Sequence, residues 1–225
     1  MGQFTKIQVL LALKETAIIP VFNHMDVTVC KEIIQACYTA GIRVFEFTNR
    51  GDSALQVFTA VHAYTKKHMP EMILGVGSVT DAVSAALYTS AGAEFIVSPL
   101  FNSEIARFCN GRQIVWIPGC GTVTEIATAQ EAGSCIVKIF PAEQLGGPAF
   151  IKAVKGPMPW TNIMATGGIT LDAEELQQWF KAGVYCVGFG SSVFKTLPDG
   201  SYDYQQIEAE LSQAVNIVKS LSINM

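Results

Sequence analysis

A chain of 225 residues, half of them hydrophobic, can bury a large core, and single α/β barrels have about this length. The net charge of −4, with no basic block, gives no electrostatic reason to expect nucleic acid or an anionic membrane, so the expected partners are small molecules. Six cysteines, at 30, 37, 109, 120, 135 and 186, form no C-x-x-C pair, which argues against a zinc site or disulfide framework and fits a reducing cytoplasm.

The chain opens with MGQFTKIQVL, which lacks the basic region and long apolar stretch of a signal peptide and has Lys6 where a myristoylation motif has Ser or Thr. No apolar run approaches the roughly 18 residues of a membrane span. One cytoplasmic domain over residues 1–225 is expected. FTKIQVLLALKE, from residue 4, reads as an extra helix able to cover a barrel floor. IIPVF from 18 reads as the first strand, and VTVCKEIIQACYTA from 27 as an amphipathic helix.

A repeat then sets the pattern: TAGIRVFEFT from 39, SAGAEFIVSP from 90, EAGSCIVKIF from 131 and KAGVYCVGFG from 181. Each is Ala-Gly and then an apolar run, as when a helix ends on a left-handed glycine and leads directly into a buried strand. ILGVGS from 73, IVWIPGC from 114 and NIMATGG from 162 complete eight strands. DAVSAALYTS, EIATAQEA, DAEELQQWFKA and the segment from Tyr204 to Ser220 supply helices, with acidic groups near several starts. Eightfold alternation predicts a (β/α)₈ TIM barrel with the extra N-terminal helix. An open doubly wound sheet is the competing arrangement; Ala-Gly marks before strands 2, 4, 6 and 8 favour a closed barrel built in pairs.

Lys138 stands inside CIVKIF, where a cation needs a reason. It is either a lysine whose stem lies on apolar surface, or a desolvated amine able to attack a carbonyl, because burial disfavours the charged form of an amine. Five residues past the repeat glycines lie Glu46, Val97, Lys138 and Gly188, which places Glu46 and Lys138 in one interior layer. Such a pair is a structural ion pair or an acid–base site. Thr48 and Arg50 follow Glu46 at the strand end; an arginine there is a solvated surface residue or a fork for a carboxylate. ATGGI (165–169) and GFGSS (188–192) end strands 7 and 8, the usual barrel phosphate site, where backbone N–H groups and a short helix start face the anion. His24, His62 and His68 have no metal-ligand spacing.

RVFEFTNR (43–50), LGVGSV (74–79), FIVSP (95–99), IPGCGTVTE (117–125), VKIFPAE (137–143) and TGGI (166–169) together resemble a family, the bifunctional aldolases for 2-keto-3-deoxy-6-phosphogluconate (KDPG) and 4-hydroxy-2-oxoglutarate (KHG), which are class I enzymes. The resemblance runs from about residue 18 to residue 195. It implies that Lys138 is the Schiff-base lysine, Glu46 the general acid–base and Arg50 the anchor of the pyruvyl carboxylate, assisted by Ser78. It further implies that Thr166 binds a substrate hydroxyl or carbonyl, that Phe140 lines the pyruvyl pocket, that Pro99 contacts substrate, and that phosphate sits on Gly167, Gly168, Gly188, Gly190 and Ser191. Pyruvate and glyceraldehyde 3-phosphate are then the products of KDPG, and pyruvate and glyoxylate those of KHG, with no cofactor, no metal and a homotrimeric assembly. Ser78 stands where threonine is usual, Ala165 where proline is, and GFGSS replaces a shorter Gly-Gly-Ser. An aldolase for the 6-phosphogalactonate epimer is the rival within the class. A non-catalytic sugar-phosphate-binding barrel is the rival outside it, and has no use for the Lys138 and Glu46 pair.

Overall fold

The computed structural model describes residues 2–190 and 192–222, the side chain of Ser222 excepted. Eight parallel strands close into a barrel in sequential order: β1 (Ile18–Phe22), β2 (Val44–Thr48), β3 (Ile73–Gly77), β4 (Phe95–Ser98), β5 (Val115–Cys120), β6 (Val137–Ile139), β7 (Ile163–Thr166) and β8 (Cys186–Phe189). Pairing of Ile18 with Val187 and of Ile19 with Gly188 joins β1 to β8 and rules out the open sheet. Around it run α2 (Val27–Thr39), α3 (Ala54–His68), α4 (Ala82–Ser90), α5 (Ser103–Gly111), α6 (Val123–Glu131), α7 (Gly147–Lys155), α8 (Ala173–Ala182) and α9 (Tyr204–Ser222).

Local chemistry explains these boundaries. Asp26, Asp81, Asn102, Thr122 and Asp172 each accept a backbone N–H in the first turn of the helix that follows, satisfying donors that the helix leaves open. The repeat glycines 41, 92, 133 and 183 all have φ between 89° and 108°, the left-handed turn that sends each helix into the next strand.

Strand alternation divides the apolar residues into two cores. Phe45, Phe47, Ile96, Val137, Ile139 and Val187 face outward and pack beneath the helices. Inside the barrel lie Ile19, Val44, Phe95, Val97, Ile117 and Met164, among others. The extra helix α1 (Lys6–Thr16) puts Val9 and Leu13 into this interior core and so closes the floor. Both are almost fully buried, each side chain stabilising the plug by about 1.5–3 kcal/mol. With the floor filled, substrate has access only from the carboxyl ends of the strands. Among the described residues no helix is long and apolar enough to cross a membrane.

Candidate active site

Outward Phe45 and Phe47 on β2, and Val137 and Ile139 on β6, leave Glu46 and Lys138 pointing into the barrel. Lys138 Nζ lies 3.6 Å from Glu46 Oε1, and the two residues are 7% and 1% exposed, so the layer count from the repeat holds. The amine also lies 5.3 Å from the centre of the Phe140 ring. Burial pushes the Glu46 carboxyl above its ordinary value, and the neighbouring Lys138 pulls it part of the way back. Glu46 Oε2 and Thr166 Oγ1 are buried without a hydrogen-bond partner among the described residues. Two such atoms each cost about 1–3 kcal/mol, which a fold tolerates where a ligand will meet them.

Room for this carboxylate comes from β3. A Cβ on Gly77 would overlap Glu46 Oε1, and one on Gly75 would enter the ring of Phe95. Gly77→Ala is therefore expected to fold but to displace Glu46 and lower kcat on the order of 10²-fold, since misplacing a catalytic group by about an ångström has that effect. Steady-state rates together with circular dichroism would check it; a folded alanine variant with normal kcat would show that Glu46 tolerates the shift.

A cavity of about 480 Å³ opens at the carboxyl ends of β1, β2, β7 and β8. It is lined by six of the residues singled out from the sequence: Arg50, Thr166, Gly167, Gly168, Gly188 and Gly190. Gly167 and Gly168 have φ of 102° and 82°, and their loop is tied to the one after β6 by the Ala142 and Glu143 N–H groups, which donate to the Thr166 and Gly167 carbonyls at 2.9 and 3.1 Å. Ser192 Oγ donates to the Ile169 carbonyl at 2.9 Å, linking the loops after β7 and β8. Among the described residues no helix is assigned between β8 and α9. The Val193 and Phe194 N–H groups instead both donate to the Gly190 carbonyl, forming a turn.

Glu46 and Lys138 do not line this cavity; Glu46 lies two residues deeper along β2 than Thr48, which does. Phe140, Ser78 and Pro99 lie outside the lining as well. Ser78 follows β3 with φ of 60°, beside the end of β2, and the Pro99 carbonyl lies where a Cβ on Gly119 would be. Ser191 lies outside the described residues. The sequence reading gave Thr48 no role, included Ser192 only as the last residue of the GFGSS motif, and missed Asn23; all three are in the lining. Alternation from Glu46 could have marked Thr48. Among the described residues no three His, Cys, Asp or Glu side chains are grouped to hold a metal ion.

This arrangement of a buried amine, an adjacent carboxylate and a glycine-rimmed cavity suits covalent chemistry on a small carbonyl compound with anionic ends. The family model described as "Aldolase: KDPG and KHG aldolase" matches residues 9–210. The chain belongs to the KDPG and KHG aldolase family. It is 32% identical to the 2-dehydro-3-deoxy-phosphogluconate aldolase of Treponema pallidum over 207 residues, covering 92% of this chain and 96% of that one. It is 33% identical to the 2-dehydro-3-deoxy-6-phosphogalactonate aldolase of Escherichia coli over 162 residues, 72% of this chain and 74% of the other. The fold matches the crystal structure of the KDPG aldolase of Zymomonas mobilis ZM4 with 3-phosphoglycerate, with a TM-score of 0.79 and 26% identity over 92% and 94% of the two chains. As a member of this aldolase family the protein is a carbon–carbon lyase acting on small molecules.

Proposed function

We propose that the protein is a class I aldolase that cleaves KDPG to pyruvate and glyceraldehyde 3-phosphate, and KHG to pyruvate and glyoxylate, with Lys138 as nucleophile and Glu46 as proton shuttle. The observation that carries this reading is the buried Lys138 amine 3.6 Å from a Glu46 carboxylate whose other oxygen has no partner among the described residues. Unprotonated Nζ attacks the C2 ketone, Glu46 supplies the proton that turns the carbonyl oxygen into a hydroxyl, and loss of water gives the protonated imine. Glu46 then takes the C4 hydroxyl proton. The C3–C4 bond breaks with its electrons flowing into the imine, and the aldehyde leaves. Return of the proton to C3 of the enamine, followed by hydrolysis, releases pyruvate and restores the amine.

Arg50 holds the pyruvyl carboxylate with help from Ser78, and Thr166 offers its hydroxyl to a substrate oxygen. Phe140 covers the amine, and Pro99 borders the substrate from the β4 side. The phosphate rests on the loops of Gly167, Gly168, Gly188, Gly190 and Ser191, a reading supported by the left-handed glycines 167 and 168 at the mouth of the cavity. The reading includes the homotrimer and the cytoplasmic location that the family resemblance implies. The 6-phosphogalactonate epimer is a second reading, favoured by the Escherichia coli relative. Turnover of a panel of 2-keto-3-deoxy acids, of both C4 configurations and with and without the terminal phosphate, tests both; no turnover of any member would refute the enzyme as described.

Ser192 offers a direct test of the phosphate site, because it lines the cavity and is linked to the β7 loop through its hydroxyl. Ser192→Asp is expected to raise KM for the phosphorylated substrate about 10-fold more than for its unphosphorylated analogue, through like-charge repulsion in a partly desolvated cavity. Ser192→Asn, of similar shape and uncharged, should spare that difference. Equal effects of Asp on both substrates would move the phosphate elsewhere.

A further inference from the structure

We propose that the Tyr88 hydroxyl and the Asn49 side chain form a positioning pair that aims Arg50 into the cavity and so sets the affinity for the carboxylate of the 2-keto acid. The inference deepens the reading of Arg50 as carboxylate anchor and rests on it.

Past the end of β2 the strand alternation continues, with Glu46 and Thr48 facing in, as does Arg50 at the cavity wall, and with Asn49 turned outward between them. Tyr88, on α4, donates its hydroxyl to Asn49 Oδ1 at 2.7 Å. That tyrosine is only 3% exposed and stands edge-on against Phe58 at 5.2 Å, which in turn packs on Phe47 of β2. The donor is therefore held by the same layer that holds the strand. The Asn49 N–H donates to the Gly77 carbonyl at 2.9 Å, carrying the β2–β3 ladder one residue beyond Thr48. From the other side Asn23 Nδ2 donates to the Arg50 carbonyl at 3.1 Å.

The backbone on both sides of the Arg50 Cα is thus fixed, while its guanidinium makes no hydrogen bond or ion pair among the described residues. A fork on a fixed base, without an internal partner to give up, binds a carboxylate with little ordering left to do. Of the three fastenings, only the Tyr88 hydroxyl reaches Asn49 from the helix layer, and its removal leaves the amide oxygen of a half-buried residue without its partner.

The test is the KM for pyruvate in the exchange of its methyl protons with deuterated water, compared with kcat of the same exchange, in Tyr88→Phe, Asn49→Ala, Arg50→Ala and the Tyr88→Phe/Arg50→Ala double variant. Both Tyr88→Phe and Asn49→Ala are expected to raise KM about 10-fold with kcat nearly unchanged, as a small misalignment of a binding group does. The double variant should be no worse than Arg50→Ala alone, because the pair acts only through Arg50. Normal KM in Tyr88→Phe and Asn49→Ala beside a raised KM in Arg50→Ala would overturn the pairing and spare the anchor. Arg50→Ala without effect on KM would overturn both. Losses that multiply in the double variant would assign Tyr88 a role in the fold alone. Should Tyr88→Phe melt near the assay temperature, Asn49→Ala decides.

Discussion

Lys138→Met is expected to fold and to lose aldol cleavage by a factor on the order of 10⁴ or more, the scale seen when a covalent nucleophile is removed. Methionine has a similar unbranched length and an adaptable thioether, so the layer it shares with Glu46 and Val97 stays filled. Glu46, left without its cation, can take up a proton, since burial already raises its carboxyl above the ordinary range. The covalent step has its own readout. Incubation of the parent with pyruvate and borohydride should fix a single adduct, mapped by mass spectrometry to the peptide that carries Lys138, and the Met variant should take up none. An adduct on a different lysine, or unchanged adduct in Lys138→Met, would remove Lys138 from the mechanism and leave it as half of a structural ion pair.

The pair was legible in the sequence because two periodicities coincide. One is the alternation of strand residues, which sends Glu46 and Lys138 inward once Phe45, Phe47, Val137 and Ile139 are assigned to the helix side. The other is the repeated Ala-Gly, whose glycines all adopt the left-handed turn and so start each even strand in the same phase. A position counted from those glycines is a position in a barrel layer. The plug helix was legible for a related reason: an apolar segment preceding the first strand has only the open floor to cover, and Val9 and Leu13 fill it.

What escaped the sequence has no local signature. The space that Gly77 leaves for Glu46 is a relation between two strands, and a glycine in LGVGS reads equally well as turn material. Tyr88 and Asn49 meet across 39 residues of chain, with a helix and a strand between them, and neither residue type announces a partner. The loop after β8 shows the limit of a glycine motif: glycines permit a helix start without requiring one, and here the Val193 and Phe194 N–H groups close a single turn on the Gly190 carbonyl, with no helix described before α9. Asn23 enters the cavity only because β1 and β8 close the barrel beside each other.

Glu46→Gln probes the remaining half of the chemistry. The amide keeps the shape of the carboxylate, so the contact with Gly77 is preserved, but it cannot carry a proton between oxygen and carbon. Steps that need the shuttle should slow by about 10² to 10⁴-fold. Because Lys138 remains, borohydride should still trap some pyruvate adduct, only slowly, whereas exchange of the pyruvate methyl protons with deuterated water should nearly cease. That exchange reports the enamine step without reference to any aldehyde, so it tests Glu46 independently of the aldehyde partner. Thermal melting adds a check on the electrostatics. A carboxyl whose folded value is raised contributes stability that is fully present below its unfolded value of 4.5 and is lost as pH rises through the folded one. The glutamine variant has no such loss, so its Tm relative to the parent should climb as pH rises from below 4.5 toward neutral. Near-normal exchange in a folded Glu46→Gln protein would require another base at C3, and within hydrogen-bond reach of Lys138 the barrel interior offers no second carboxylate among the described residues.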